Sequence, residues 1–143
     1  MFSSTALVEG LRSALSQRPE VLDAYLFGSH ARDEARANSD VDVAVFVDAR
    51  RARDDGYGFE ASLASELMRA LATDRVDVVV LNRAPPLLYH RVLRDGLRVL
   101  ARDLAATTVR EGRALSRYCD YVPQLEKFER AASARTRAGG FGR

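Results

Sequence analysis

The chain has 143 residues, of which 47% are hydrophobic and 29% charged, a composition typical of one folded domain and not of a disordered or fibrous protein. One cysteine and two histidines exclude an internal disulfide and argue against a cysteine-rich or histidine-rich metal site. A net charge of +2 without a basic face interleaved with aromatics argues against nucleic acid as a partner, and the lack of a long apolar run or secretion signal predicts a soluble, cytoplasmic protein with no membrane partner.

The first third of the chain predicts one helix and two strands. Leucines at helical spacing predict an amphipathic helix over residues 4–17. The apolar run 24–27 predicts a strand that ends at Gly28. Residues 29–37 are rich in Ala, Arg and Glu and predict a short helix directly after that glycine. Residues 41–47 alternate strictly between valine and other residues, which predicts a second strand.

The middle of the chain continues the alternation of helices and strands. A charged loop over residues 48–58 leads into a helix over 59–71, whose leucines form one stripe. The β-branched run 76–81 predicts the third strand. A further helix begins at the proline pair and ends at residue 95, and residues 97–100 predict a fourth strand at a sheet edge.

The last part of the chain is predicted to be helical and then disordered. The sequence Thr108-x-x-Glu111 has the pattern of a capping box and predicts the start of a final helix, which Pro123 should kink or split. Residues 132–143 have no periodic pattern and predict a disordered basic tail.

The alternating elements predict a small α/β domain with helices packed on a mixed sheet. We assign residues 1–131 to this single domain, with a core over about 20–100 and C-terminal helices over about 103–131.

Two acidic residues open the second predicted strand. Asp40 and Asp42 are two residues apart, so their side chains leave the same face of the strand. Their Cα atoms should be about 6.5–7 Å apart, which lets both carboxylates ligate divalent ions ~3.5–4 Å apart, as in two-metal phosphoryl transfer. Without a cation, the two carboxylates would repel each other. Asp77, in an otherwise apolar strand, is a candidate third ligand or a base, or an exposed residue paired with an arginine.

A phosphate site is predicted beside these carboxylates. Gly28 at a strand end lets the backbone approach a ligand closely, and the predicted helix that follows would offer free N–H groups to phosphate oxygens. The Ser29 hydroxyl adds a donor. Arg32 could add positive charge, or be a solvated helix arginine. His30 is interpreted as a variable filler residue in this segment and His90 as a packing residue.

The spacing of these residues resembles a known signature. Gly28-Ser29, ten further residues and then Asp40-Val41-Asp42 resemble the DNA polymerase β-like nucleotidyltransferases, and the segment VDVVVLNRAPPLLYHRVLRDG resembles the small stand-alone members, the minimal nucleotidyltransferases. The resemblance covers roughly residues 20–100 and implies the polymerase β-like fold. It implies that Gly28 and Ser29 hold the triphosphate of ATP and that Asp40, Asp42 and Asp77 bind magnesium, with two ions expected.

The resemblance also implies a biological role. Members of the group resemble antitoxins paired with HEPN-domain ribonuclease toxins, in which the antitoxin transfers AMP from ATP onto a tyrosine of the toxin and so silences it. One residue departs from the family pattern: Asp33 stands where these proteins often have glycine. Two alternatives remain open, a small-molecule nucleotidyltransferase of the aminoglycoside type and an antitoxin that acts by binding alone.

Overall fold

The structure is a computed structural model that describes residues 3–36, 38–52 and 58–137, without the side chains of residues 136 and 137. Its elements in chain order are α1 (Ser4–Ser16), β1 (Val21–Phe27), β2 (Val41–Val47), α2 (Gly58–Leu71), β3 (Val76–Val80), a single 3₁₀ turn (Leu81–Arg83), α3 (Pro86–Asp95), β4 (Leu97–Ala101) and α4 (Leu104–Arg137). The predicted loop over residues 48–58 falls partly outside the described residues, at 53–57.

The four strands form one mixed sheet in the order β3-β2-β1-β4. β1 is antiparallel to both β2 and β4, whereas β2 is parallel to β3. The prediction of a mixed sheet with β4 at its edge is therefore confirmed. No helix in the described part of the chain is long and apolar enough to cross a membrane.

Helices cover both faces of the sheet because each strand presents an apolar face to each side. The odd-numbered valines of β2 are buried with the leucines of α1 and α2 in the larger core, as their alternation predicts. On the opposite face, Tyr25 and Ala44 are buried against α3 and α4, with Tyr89 and Ala114 between the helices. Asp42 and Phe46 flank Ala44 on that second face; the partly buried Phe46 packs against this cluster, and Asp42 is half-buried at the other end of β2.

The predicted helix over residues 29–37 is wrong. Residues 29–33 form an isolated turn, residues 34–36 have no regular structure, and residue 37 lies outside the described residues. The turn closes through hydrogen bonds from the Ala31 and Arg32 N–H groups to the Gly28 carbonyl. Asp33 then adopts a left-handed conformation with φ 57°, which prevents a helix from continuing.

The start of the final helix also differs from the prediction. α4 begins at Leu104, because Asp103 caps it: its Oδ1 accepts from the Ala106 N–H at 3.3 Å and its carbonyl accepts from the Thr107 N–H at 2.9 Å. The hydroxyl of Thr108 instead donates to the Leu104 carbonyl within the helix.

α4 continues beyond residue 131, where the sequence predicted the helical region to end. The helix runs without interruption through Pro123 and is not split there. Residues 132–137, predicted as part of a disordered tail, continue the helix, and residues 138–143 lie outside the described residues.

Candidate active site

Three strand ends bring the predicted site residues together at one end of the sheet. The antiparallel register pairs Phe27, the last residue of β1, with Asp42, so Gly28 follows directly beside the first residues of β2. The parallel register pairs Asp42 with Asp77 on the neighbouring strand. Because side chains at paired positions of adjacent strands point to the same face, both carboxylates lie on the face that carries Ala44.

Gly28 lies so close to the Asp42 carboxylate that a side chain at this position would require the carboxylate or the turn to move. Its φ is +76°, in the left-handed region that favours glycine. A Cβ atom built on Gly28 would overlap Oδ2 of Asp42 and would lie 3.1 Å from its Cγ. The backbone of the phosphate turn, which we define as residues 28–33, therefore lies against the central carboxylate of the site.

The three carboxylates have different surroundings. Asp42 is half-buried, and burial, followed by the negative charges of Asp77 and Asp40, raises the pKa of its carboxyl. Asp40 is exposed, and Nη1 of Arg75 lies 3.8 Å from its Oδ1. Asp77 is also exposed. Negative charge thus accumulates around Asp42, and the positive charge of Arg32 offsets only part of it.

These carboxylates fit a divalent cation in donor type and in position. Carboxylate oxygens are the ligands that magnesium prefers, and a cation would relieve the repulsion that raises the pKa of Asp42. Within the described residues, no three His, Cys, Asp or Glu side chains converge closely enough to enclose a metal ion. The assignment of Asp40, Asp42 and Asp77 as metal ligands therefore stays a prediction, which requires the exposed side chains to turn inward on binding.

The phosphate turn offers backbone donors without a following helix. Among the described residues, the N–H groups of Ser29 and His30 make no hydrogen bond, whereas the Ala31, Arg32 and Glu34 N–H groups are used within the turn. Two adjacent free N–H groups beside a positive φ form a concave anion site of the kind that binds phosphate. The predicted role of Gly28 and Ser29 in holding phosphate would therefore depend on these two N–H groups and not on the N-terminus of a helix.

Arg32 lies in the turn but is engaged elsewhere. It is exposed, and its Nε donates to Oε1 of Glu34 at 2.9 Å. An exposed pair of this kind contributes little to stability, so the guanidinium can exchange this partner for a phosphate at small cost. Its role in binding ATP stays a prediction.

Asp33 is held by the first turn of α1. Its φ of 57° explains why a glycine suits this position, and aspartate tolerates the left-handed region better than most residues. The hydroxyl of Ser4 lies 2.9 Å from Oδ1 of Asp33. The extra carboxylate is thereby tethered to α1.

Replacing Asp33 by glycine is expected to leave the stability of the protein nearly unchanged, whereas replacement by alanine should lower it. Glycine loses the contact to Ser4 but relieves the left-handed strain, so we expect a change within about 0.5 kcal/mol; alanine should cost ~1 kcal/mol relative to glycine. Urea unfolding of both variants measures the difference. An alanine variant at least as stable as the glycine variant would contradict the strained turn.

Replacing Asp42 by asparagine is expected to stabilise the metal-free protein. Because the pKa of this carboxyl is raised in the folded protein, its ionised form is less favourable there than in the unfolded chain. The resulting loss of stability is fully present above the raised pKa, declines as the pH falls below it, and disappears below the ordinary aspartate pKa of the unfolded chain. Unfolding in the presence of a chelator should therefore show a more stable variant at neutral pH and a smaller difference at mildly acidic pH.

The exposed Asp120 of α4 provides the control for this measurement, and Asp120→Asn should not change stability at either pH. An Asp42→Asn variant less stable than the wild type at neutral pH would show that the carboxylate is satisfied without a cation.

Sequence reasoning missed His30, which the structure places in the interior. Its side chain is 5% exposed, and its Nε2 lies 3.3 Å from the carbonyl oxygen of Ser39, the residue before Asp40. No pattern in the sequence indicates that His30 is buried, because its partner, the Ser39 carbonyl, lies in the irregular segment between the phosphate turn and β2.

Comparison with known proteins agrees with this geometry. The sequence profile described as "Polymerase beta, Nucleotidyltransferase" matches residues 9–105. A structure described as that of a minimal nucleotidyltransferase is 30% identical in sequence, with a TM-score of 0.55, and the match covers 67% of this chain and 95% of that one. No curated protein compared with the chain gives a significant match.

Two structures of toxin–antitoxin complexes share the fold over more of the chain. A toxin–antitoxin structure with AMP-PNP is 24% identical, with a TM-score of 0.73, over 88% of this chain and 98% of that one. A complex of a tri-AMPylated HEPN toxin from Shewanella oneidensis with an MNT antitoxin gives 21% identity and a TM-score of 0.69, over 91% of this chain and 98% of that one. The matched profile spans most of the chain and includes the three strand ends of the site, and the chain belongs to the polymerase β nucleotidyltransferase family.

Proposed function

We propose that this protein is a magnesium-dependent adenylyltransferase that acts as an antitoxin, transferring AMP from ATP onto a tyrosine of a HEPN-domain toxin. The observation that carries the proposal is that the phosphate turn, Asp40, Asp42 and Asp77 lie at the same end of the sheet. Nucleotidyl transfer needs both parts, because the triphosphate must be held while charge develops on the leaving group.

The chemistry assigns separate tasks to the residues of the site. The N–H groups of Ser29 and His30 and the Ser29 hydroxyl bind the β- and γ-phosphates, so the α-phosphorus lies toward Asp42. Asp40 and Asp42, with Asp77, hold the divalent cations, which would neutralise the phosphate charge. The tyrosine oxygen of the toxin bonds to the α-phosphorus, the bond to the bridging oxygen breaks, pyrophosphate leaves, and a site carboxylate accepts the hydroxyl proton.

The HEPN partner is proposed because the matched toxin–antitoxin structures include a tri-AMPylated HEPN toxin with its MNT antitoxin. The stretch of α4 from Leu115 to Phe128 is a suitable docking surface in this chain. Leu115 and Phe128 are exposed, at 51% and 72%, and Val122 and Leu125 are only half-buried on the same helix. These residues recur at helical spacing, as expected of a helix that binds a helical partner.

The test is intact mass spectrometry of the candidate toxin after incubation with this protein, ATP and magnesium. Mass additions of one or more AMP units on the toxin are expected, and they should be absent with the Asp40→Asn/Asp42→Asn variant. A matched double variant, Glu9→Gln/Glu60→Gln, also removes two carboxylates, but from exposed positions on α1 and α2 across the sheet from the site. It should transfer AMP at the wild-type rate.

Three other results would overturn the proposal in distinct ways. An unmodified toxin that is silenced in a stable complex would indicate an antitoxin acting by binding alone. AMP addition that persists in the Asp40→Asn/Asp42→Asn variant would mean that the carboxylates are not the metal ligands. A failure to bind or modify the toxin, together with AMP transfer to an aminoglycoside, would indicate a small-molecule enzyme.

A further inference from the structure

Between β1 and β2, His30 is the only buried residue among the described residues 28–36 and 38–40. Its side chain is 5% exposed, whereas the residues on either side are half-buried or exposed. A ring this deeply buried does not contact a nucleotide lying on the turn. Its contacts are instead with the protein.

Two contacts of His30 link the turn to separate parts of the chain. Its backbone carbonyl accepts a hydrogen bond from the Ser4 hydroxyl at 3.0 Å, at the start of α1. Its ring Nε2 lies 3.3 Å from the carbonyl oxygen of Ser39. Since a carbonyl oxygen only accepts, the tautomer that makes this bond carries its hydrogen on Nε2.

Ser39 is itself fixed in position. Its Oγ accepts from the Arg36 N–H at 2.8 Å, and its own N–H donates to the Arg36 carbonyl at 3.0 Å. The next residue is Asp40, and the Val41 N–H that follows donates to the Arg75 carbonyl at the start of β3. The ring of His30 therefore bonds to the backbone at the point where the segment joins the sheet.

This contact joins two residues that are nine positions apart, and the described residues between them form no helix or strand. With a helix after Gly28, hydrogen bonds within the helix would hold the turn; here the turn is closed by only a few local bonds. A 1 Å displacement of groups that must act together can cost about 100-fold in rate. The pairing of Phe27 with Asp42 places the start of the turn beside the carboxylates, and the position of the donors beyond Gly28 depends on the few contacts that bridge the segment.

We propose that His30 is a positioning residue: its imidazole bonds the phosphate turn to the backbone before Asp40 and so sets the spacing between the triphosphate donors and the metal-binding carboxylates. The inference rests on the proposed function of the site. The imidazole of His30 acts through the backbone of the turn and through Ser39; only the backbone N–H of this residue is assigned a contact with the substrate.

The test compares His30→Leu with His30→Gln. Leucine fills a similar volume but cannot donate, whereas the glutamine amide places an N–H near the position of Nε2. We expect His30→Leu to lower kcat for AMP transfer by about 10- to 100-fold with a smaller change in the KM for ATP. His30→Gln should restore kcat to within about fivefold of the wild type, although neither variant restores the ring packing. His90→Gln, which removes the other histidine, should leave kcat unchanged.

Amide hydrogen exchange of the free protein gives a second readout that needs neither toxin nor ATP. The N–H groups of Ala31, Arg32 and Glu34 should exchange faster in His30→Leu and return toward the wild-type rate in His30→Gln. A wild type that transfers no AMP would refute the proposed function, while the exchange rates would still decide whether the ring holds the turn.

Two results would overturn the inference. One is a His30→Leu variant with unchanged kcat and unchanged exchange. The other is equal loss of kcat in both variants, in proportion to their loss of unfolding free energy, which would mean that the ring only fills space.

Discussion

Replacing Gly28 by alanine is expected to reduce AMP transfer by at least about 100-fold while the protein remains folded. The added Cβ would overlap Oδ2 of Asp42, so either the carboxylate or the phosphate turn must move. The φ of +76° adds strain that should lower the free energy of unfolding by about 1–2 kcal/mol, which a domain of this size tolerates. Initial rates of toxin modification and urea unfolding of the same preparation separate the two effects.

Gly112 in α4 provides the matched control. A Cβ built there meets no atom within 4 Å, so Gly112→Ala should leave the rate unchanged and stabilise the helix by about 0.5–1 kcal/mol. A Gly28→Ala variant with the wild-type rate would show that the Asp42 carboxylate can move away from the turn without loss of function, contrary to the proposed close arrangement.

Replacing Asp23 by alanine is expected to cost about 3–5 kcal/mol of unfolding free energy, the largest effect on stability that we predict. Asp23 is fully buried in β1 and accepts hydrogen bonds from Arg110 Nε at 2.7 Å, from Arg110 Nη2 at 2.8 Å and from the Thr107 hydroxyl. Its removal leaves the Arg110 guanidinium, itself mostly buried, without its counter-charge. Urea unfolding measures the loss. As a control, Glu34→Ala removes the exposed partner of Arg32 and should cost less than about 1 kcal/mol of unfolding free energy.

The double variant Asp23→Leu/Arg110→Met distinguishes the unpaired charge from lost packing. It should recover much of the loss, because apolar residues of similar volume replace both charges. A double variant less stable than Asp23→Ala alone would mean that the ion pair itself, and not the orphaned guanidinium, carries the effect.

The strands of the site could be predicted from the sequence because their patterns are local. The alternating valines of β2 give its limits, Val41–Val47, and place Asp42 on the opposite face. The same alternation places Asp77 on the opposite face of β3 from its buried neighbours Val76 and Val78. The sequence could not show that Asp42 pairs in register with Asp77, since nothing local indicates which strands are neighbours in the sheet.

The errors arose where a distant residue decides local structure. Residues 29–37 have good helix propensity, yet contacts from Ser4 of α1 to the His30 carbonyl and to Asp33 hold residues 29–33 as a turn, and propensity does not consider such distant contacts. Asp23 carries the same signal as Asp77, a lone acid in an apolar strand, but its partner Arg110 follows 87 residues later. The predicted first strand began at residue 24, so the sequence did not single out Asp23, which lies within β1.

The absence of a helix behind the phosphate turn changes how the negative charge of a triphosphate is balanced. A phosphate site at a helix N-terminus supplies about half a positive charge from aligned peptide dipoles, whereas this turn has only the individual N–H groups of Ser29 and His30 to offer. Counter-charge must then come from cations that arrive with the nucleotide and from Arg32 after it leaves Glu34. On the proposed function, such a site selects the metal–nucleotide complex over the free nucleotide, so that the cellular ratio of magnesium to ATP, and not ATP alone, would set how often the site is filled.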